Sequence, residues 1–484
     1  MGKSLNTKVV KASKWSALTE ILSRLVAPIS SMVLARLLTP EAFGIVTTIM
    51  MIITFAEIFS DAGFQKYIIQ HEFENDIEKE KSINVAFWSN FSMSLIIWGI
   101  VALFNSQLAT FVGNPGLGYV LIIACVSIPL AAFSSIQIAI YKRDLDFKTL
   151  FKVRVVGILI PLLVTIPFAL WLRNFWALII GNIAKDVVNA ILLTYYSPWK
   201  PRLYYSIIRF KEMFSFTMWS MFESLSIWLT GYADVFIVGT YLNQYYLGLY
   251  KTSTVTVGHM VAMITAATTP ILFSSLSRLQ NNDEEFKKLF FKFQKIVGML
   301  IFPLCIAIFC YSDLVTEILL GNQWKEASGF IGLWALMSSV SVVLSHYASE
   351  VYRSKGKPKL STIAQLLHIV VMCPAVFIAV KYDFTTLYVT RSLVRLELIL
   401  VNLIMLYYLV HFTLSEMLIN LRAVLMASAG MLMFSKALEA IGISCSILSQ
   451  VIICFISLII YLVIILQFKE ERYILLNIRK ILKK

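Results

Sequence analysis

Charge is scarce in this sequence. Only 14% of its 484 residues are charged against 58% hydrophobic, and the mean hydropathy is +0.77. Soluble domains carry about 25% charged residues, so this chain cannot cover a water-soluble globule, and a cytoplasmic enzyme is excluded. The composition is equally unlike the polar bias of disorder. Cysteine is sparse: Cys125, Cys305, Cys310, Cys373, Cys445 and Cys454 all lie in apolar stretches, with no CxxC pair and no Cys/His cluster. Neither a disulfide frame nor a metal site is indicated, and buried thiols acting as small hydrophobes account for them. No Walker loop, GxGxxG or HExxH is present, so direct use of ATP has no support. Asp144-Leu145-Asp146 has the DxD form of metal-dependent sugar transferases, but it sits in a short basic loop with no nucleotide-binding domain around it.

What the chain has is long apolar runs, such as 159–171 and 447–466. Crossing a membrane takes ~20 apolar residues, whereas outer-membrane barrels give short alternating segments. The pattern predicts an all-α polytopic membrane protein with fourteen helices. They fall at about 15–38, 43–65, 83–104, 117–141, 153–172, 175–196, 212–240, 246–274, 289–311, 327–352, 361–380, 385–410, 419–438 and 444–467. Lys3, Lys8, Lys11 and Lys14 resemble the basic start of a signal peptide. The stretch that follows contains Glu20 and Arg24 and no AxA-like cleavage site, which predicts a retained first helix. Most of the 42 Lys and Arg fall on the side of the amino terminus, while the opposite side holds only Arg36, Arg173, Lys251, Lys325, Lys381 and Lys436. By the positive-inside rule both termini are cytoplasmic, and the net charge of +14 reflects orientation, not a nucleic-acid partner.

The chain also compares with itself roughly 200 residues apart. Trp15-Ser16 and Glu20-Ile21-Leu22-Ser23 match Trp219-Ser220 and Glu223-Ser224-Leu225-Ser226, and Phe43-Gly44 matches Leu247-Gly248. Tyr141-Lys142 and Lys148 line up with Tyr352-Arg353 and Lys359. An offset of six helices keeps both copies in one orientation. A parallel repeat follows, with lobes at 1–200 and 201–412, and then two further helices and a basic tail at 413–484. Transporters built from such repeats place substrate between the halves.

The stretch Leu34-Ala-Arg-Leu-Leu-Thr-Pro-Glu-Ala-Phe-Gly44, continuing through Ile58-Phe-Ser-Asp-Ala-Gly-Phe64 to Ile69-Gln70, resembles the polysaccharide-transporter family. These are Wzx-like flippases for lipid-linked sugar repeat units, in one superfamily with MATE multidrug exporters and the lipid II flippase. The resemblance implies a MATE-like fold and alternating access, with undecaprenyl-diphosphate-linked oligosaccharide as cargo in a bacterial inner membrane. It also implies membrane lipids, a polysaccharide polymerase and a chain-length regulator as partners. The chain departs from the pattern at Gln65-Lys66-Tyr67, where many relatives have small residues. Locally, Thr39-Pro40-Glu41 also fits a helix start, with a cap, a proline in the first turn and an acid at the positive dipole end.

Ionisable residues inside spans are costly and usually face a wet cavity or a partner. Glu20 and Arg24 share a helix face four residues apart, either as a self-neutralising pair or with Arg24 offered to a phosphate. Asn182, Lys185, Asp186 and Asn189 form a polar stripe, lining a lumen or bonding between helices. Arg391 and Arg395 lie one turn apart with Glu397 nearby, suiting bidentate phosphate binding or pairing with acids on neighbouring helices. Arg24, Lys185, Arg391 and Arg395 are therefore the candidate cations for an anionic cargo. Glu20, Glu57, Asp61, Glu223 and Asp234 are the candidates for coupling to H⁺ or Na⁺, no other cofactor being expected. Glu57 and Asp61 form either a proton site or a solvated helix end. His259, His346 and His368 each stand alone in a span, where an interhelical hydrogen bond is the default.

Three functions fit a polytopic bundle: a lipid-linked-oligosaccharide flippase, a multidrug or lipid II transporter on the same fold, and a membrane polymerase or ligase. The last needs a sizeable outward loop for chemistry, and outward loops such as 105–117 are short. A drug exporter needs an apolar or acidic pocket for cations, whereas the four intramembrane cations favour an anion.

Overall fold

A computed structural model describes residues 2–61, 63–441 and 447–474; the side chains of 2–10, 215, 216, 219, 220 and 223 also lie outside the described set. Cys445 and the side chain of Glu223 therefore lie outside the described residues. Among the described residues every regular element is helical.

The long helices are α1 (Gly2–Leu37), α2 (Pro40–Asp61), α3 (Asp76–Leu103), α4 (Gly118–Arg143), α5 (Phe147–Leu172), α6 (Trp176–Tyr196) and α7 (Ile207–Tyr241). They continue with α8 (Gln244–Arg278), α9 (Asp283–Cys310), α10 (Asn322–Ser354), α11 (Lys359–Ala379), α12 (Phe384–Val410), α13 (Arg422–Ala440) and α14 (Ile447–Gln467). Thirteen helices among the described residues are long and apolar enough to cross a membrane. The remaining one, α7, forms over 35 residues and includes the side chains at 215, 216, 219, 220 and 223 that lie outside the described set.

Sequence chemistry sets the boundaries. Asn75 opens α3 by accepting the Glu78 amide at 2.8 Å, with Asp76 and Glu78 in the first turn. The same device opens α9, where Asn282 accepts the Glu285 amide at 3.2 Å ahead of three acids. Asp146 caps α5 and Asp383 caps α12. Acids at these ends satisfy free amides and meet the positive end of the helix dipole. The DxD motif is thereby accounted for: Asp146 is a cap, and Asp144 pairs with Lys79 at 3.4 Å.

Helix 2 was expected to run to 65 but stops at Asp61. Gly63 has φ 83°, a left-handed conformation that glycine adopts at little cost, and the short helix Phe64–Gln70 follows. Tyr67, one of the departures from the family pattern, is buried there and stacks on His71 at 4.5 Å, while Arg143 donates to the carbonyls of Ile68 and His71. Likewise 414–420 is a separate helix, with a reciprocal capping box between Thr413 and Glu416, and α13 begins only at Arg422.

The chain divides into two compact units, 1–248 and 249–484, so α7 packs with the first. Within that unit α7 lies on α2 and on the Phe64–Gln70 helix, and α4 packs against α2, α3 and α6. In the second unit α9 packs on α10 and α13, and α13 on α14. Tyr311 ties this group: its hydroxyl lies 2.9 Å from Ser435 Oγ and 2.7 Å from Ser457 Oγ. Large apolar residues such as Trp171, Tyr408 and Phe455 are exposed, as a lipid-facing surface requires.

Candidate functional site

In the first unit the polar side chains form an acidic cluster. On α6, Lys185 pairs with Asp186 at 3.6 Å, and both lie within electrostatic range of Glu57 on α2. Asp61, one turn beyond Glu57, accepts from Ser135 on α4 at 3.4 Å, and Ser135 in turn accepts from the buried Asn90 of α3 at 2.8 Å. Three helices thus meet through one hydrogen-bond chain ending on a carboxylate. Glu57 and Asp186 stand in electrostatic range of Lys185, and Asp61 in range of Lys142, so three carboxylates share two lysines. The sequence had Lys185 and Asp186 on one stripe and Glu57 and Asp61 on another helix; the fold brings them together.

Along the rest of the stripe, Asn182 Nδ2 lies 4.0 Å from Met50 Sδ on α2, and Asn189 stands with Lys185 beside Gly157 on α5. Arg24 is held by Glu20 at 2.6 Å, the two side chains 36% and 52% exposed. Asp234 on α7 is buried and accepts the Val235 amide at 2.8 Å.

The second unit has a cationic group. Arg391 and Arg395 both stand over the ring of Trp334 on α10, with guanidinium carbons 5.0 and 3.4 Å from the ring centroid. Arg391 Nε donates to Tyr250 Oη at 3.2 Å, and Arg395 Nη1 to Ser338 Oγ at 2.5 Å. Between them Val394 keeps right-handed helical angles, φ −57° and ψ −22°, and its amide bonds the Thr390 carbonyl at 2.9 Å, so both arginines sit on one continuous α12. Glu397 bonds His368 of α11 at 2.9 Å, and that histidine lies in electrostatic range of both arginines. Trp334, Ser338 and Tyr250 were not singled out from sequence. An aromatic in an apolar run carries no local signal that two arginines will stack on it. No group of three or more His, Cys, Asp or Glu among the described residues is placed to hold a metal ion.

The fold is similar to that of a lipid II flippase, MurJ, with a TM-score of 0.73 over 94% of this chain and 99% of that one at 14% identity. Among curated proteins, the lipopolysaccharide biosynthesis protein WzxC of Escherichia coli K12 is 21% identical over 67% of this chain and 65% of its own length. The succinoglycan biosynthesis transport protein ExoT of Rhizobium meliloti is 22% identical over 70% of this chain and 68% of its own. A family model described as polysaccharide biosynthesis protein matches residues 33–329, more than half of the chain and including the motif at 34–70. This multi-pass membrane protein therefore belongs to the polysaccharide biosynthesis protein family.

Proposed function

We propose that the protein is a flippase that moves undecaprenyl-diphosphate-linked oligosaccharide from the inner to the outer leaflet of a bacterial inner membrane. The cycle is alternating access, both termini are cytoplasmic, and no bond is made or broken. The observation that carries this reading is the stacked pair Arg391 and Arg395 inside an apolar bundle. A diphosphate stranded in low dielectric without such partners costs many kcal/mol, so a carrier for it must present cations where the lipid headgroup crosses. Arg24, paired with Glu20, and Lys185, paired with Asp186, are the further candidate cations in the first unit.

The acidic cluster has the opposite role. Glu57 and Asp61, with Asp186, are the groups through which H⁺ or Na⁺ binding is coupled to movement, and Asp234 and Glu223 are secondary candidates. A polymerase and a chain-length regulator are the partners that such a cargo implies.

The test is complementation of a deletion strain at matched membrane abundance. Arg391→Ala with Arg395→Ala is expected to abolish surface polysaccharide and to trap undecaprenyl-linked units in the inner leaflet. Arg24→Ala is expected to lower it, with partial rescue by Arg24→Lys, which keeps charge but loses the planar fork. Full function of Arg24→Ala would leave that residue only the neutralisation of Glu20. Full function of the double variant would remove the anionic-cargo reading altogether.

A further inference from the structure

At one end of the first unit a pocket of ≈ 520 Å³ opens where α3 begins, α4 ends and the loop after α6 turns back. Three spans end together here, so the pocket stands at the level of lipid headgroups.

Its wall is fixed by α3. The loop at 197–206 is not helical, yet the Arg202 amide donates to Asn84 Oδ1 at 2.8 Å and Trp88 Nε1 donates to the Arg202 carbonyl at 2.8 Å. Trp199 packs edge-on to Phe87, ring centroids 5.5 Å apart, and is only 9% exposed. It lines the pocket, and its Nε1–H is buried without an acceptor among the described residues. An unpaired buried donor is costly, so a ligand oxygen placed there is favoured.

Charge defines that ligand. Six charged side chains line the pocket, three acidic and three basic. Four of them cancel in pairs, Lys79 with Asp144 at 3.4 Å and Arg202 with Glu80 at 2.6 Å. One base and one acid are left over. Lys200 donates to the Thr194 carbonyl and to no carboxylate among the described residues. Asp76, in the first turn of α3, has no ion-pair partner among the described residues. A ligand with one negative and one positive group satisfies both, whereas a net anion meets three carboxylates.

The surroundings call for a lipid. Ile77 and Leu203, each next in sequence to a pocket residue, are 67% and 92% exposed, and Ile207 and Ile208 are exposed as well. Apolar side chains of this size, bared at the end of a span, belong among acyl chains and not in water. Ile83 and Ile140 give the pocket itself an apolar wall. We propose that this pocket binds a zwitterionic phospholipid of the adjoining leaflet, one whose headgroup joins a phosphate to a primary ammonium. The phosphate accepts from Trp199 Nε1 and Lys200 Nζ, the ammonium donates to Asp76, and the acyl chains lie along Ile77 and Leu203. The site is independent of the cargo.

The full chain, purified in detergent, is titrated with phosphatidylethanolamine, phosphatidylcholine, phosphatidylglycerol and free phosphoethanolamine, and bound ligand is counted by native mass spectrometry. Phosphatidylethanolamine is expected to bind at least about ten-fold more tightly than the other three. Phosphatidylcholine keeps the phosphate, but its nitrogen has no proton to give Asp76, and phosphatidylglycerol brings a net negative charge. Asp76→Asn should erase the preference over phosphatidylcholine, and Lys200→Gln should weaken every phospholipid; both side chains are exposed, so both variants are expected to fold. Trp199→Phe keeps an aromatic ring against Phe87 without the N–H, and should weaken phosphatidylethanolamine about five-fold. Equal affinity for the three phospholipids overturns the proposal, as does tighter phosphatidylglycerol, which would make the pocket an anion site. A preference that survives Asp76→Asn and Lys200→Gln, or an affinity unchanged by Trp199→Phe, overturns it as well. Free phosphoethanolamine bound as tightly as the lipid would make the ligand a soluble one and overturn the lipid assignment.

Discussion

Gly44 and Gly248 show how single residues set a contact in this chain. A Cβ on Gly44 would collide with the backbone carbonyl of Gln244, and one on Gly248 with the carbonyl of Pro40, so the first turns of α2 and α8 cross at hydrogen-atom distance. Both neighbours are backbone, which cannot rotate away. Overpacking of this kind typically costs about 1–3 kcal/mol, so Gly44→Ala and Gly248→Ala should each lower the Tm of the purified protein. Gly99→Ala, with nothing within 4 Å of the new methyl, should not. An unchanged Tm in all three would mean that the two helix starts separate freely. Asp61 is the residue to test for coupling, because Ser135, Lys142 and Glu57 all act on it or stand near it. Asp61→Asn keeps the shape and the hydrogen-bonding capacity, and is expected to abolish the pH dependence of flipping at unchanged protein level. Retained pH dependence would make Asp61 a strut between α2 and α4.

Among the elements, the short helix Leu414–Asn420 depends most visibly on a few polar bonds. Thr413 and Glu416 cap each other, and Lys287 of α9 donates to the same carboxylate at 2.6 Å. The lysine bond, with smaller help from Thr413, holds the Glu416 carboxyl below its ordinary range. A depressed carboxylate stabilises above its unfolded value and loses that contribution as pH falls below about 4. Thr413→Ala is expected to cost about 1 kcal/mol locally, raising amide exchange over 414–420 about five-fold at neutral pH. Equal exchange in both forms would assign the helix to packing alone. This element was not legible beforehand: seven residues are too few for a periodicity, and most of the region was expected as the connection between the helices at 385–410 and 419–438. The long spans were legible because an apolar run of bilayer length has few alternatives. Within the sites, what lay on one helix could be read, as with Arg391 and Arg395 or Lys185 and Asp186. What two helices make together could not, as with Trp334 under the arginines or Glu57 facing Asp186.

At the scale of the whole molecule the open point is α7. Its 35 residues are ample to cross a bilayer, and it carries the side chains at 215, 216, 219, 220 and 223 that lie outside the described set. Asp234 lies buried within it, and a single buried acid is compatible with a span whose polar side faces protein. Charge parity favours a crossing. The loops before α7 and after α8 are basic, carrying Lys200 and Arg202 on one side and Arg278 with the following Lys287 and Lys288 on the other. The turn between α7 and α8, at Leu242 and Asn243, has no basic residue. If α7 crosses, both basic loops are cytoplasmic and the neutral turn is outside, as the positive-inside rule requires. If it does not, every later loop inverts, and the cluster Arg353, Lys355 and Lys357 would lie outside. Reporter fusions at Glu74, Arg202, Asn282 and Gly356 are therefore expected to report cytoplasm, and those at Asn114, Asn243 and Gly321 the opposite side. Like reports from Arg202 and Asn243 would show that α7 does not cross, leaving thirteen spans and placing the carboxyl terminus across the membrane from the amino terminus.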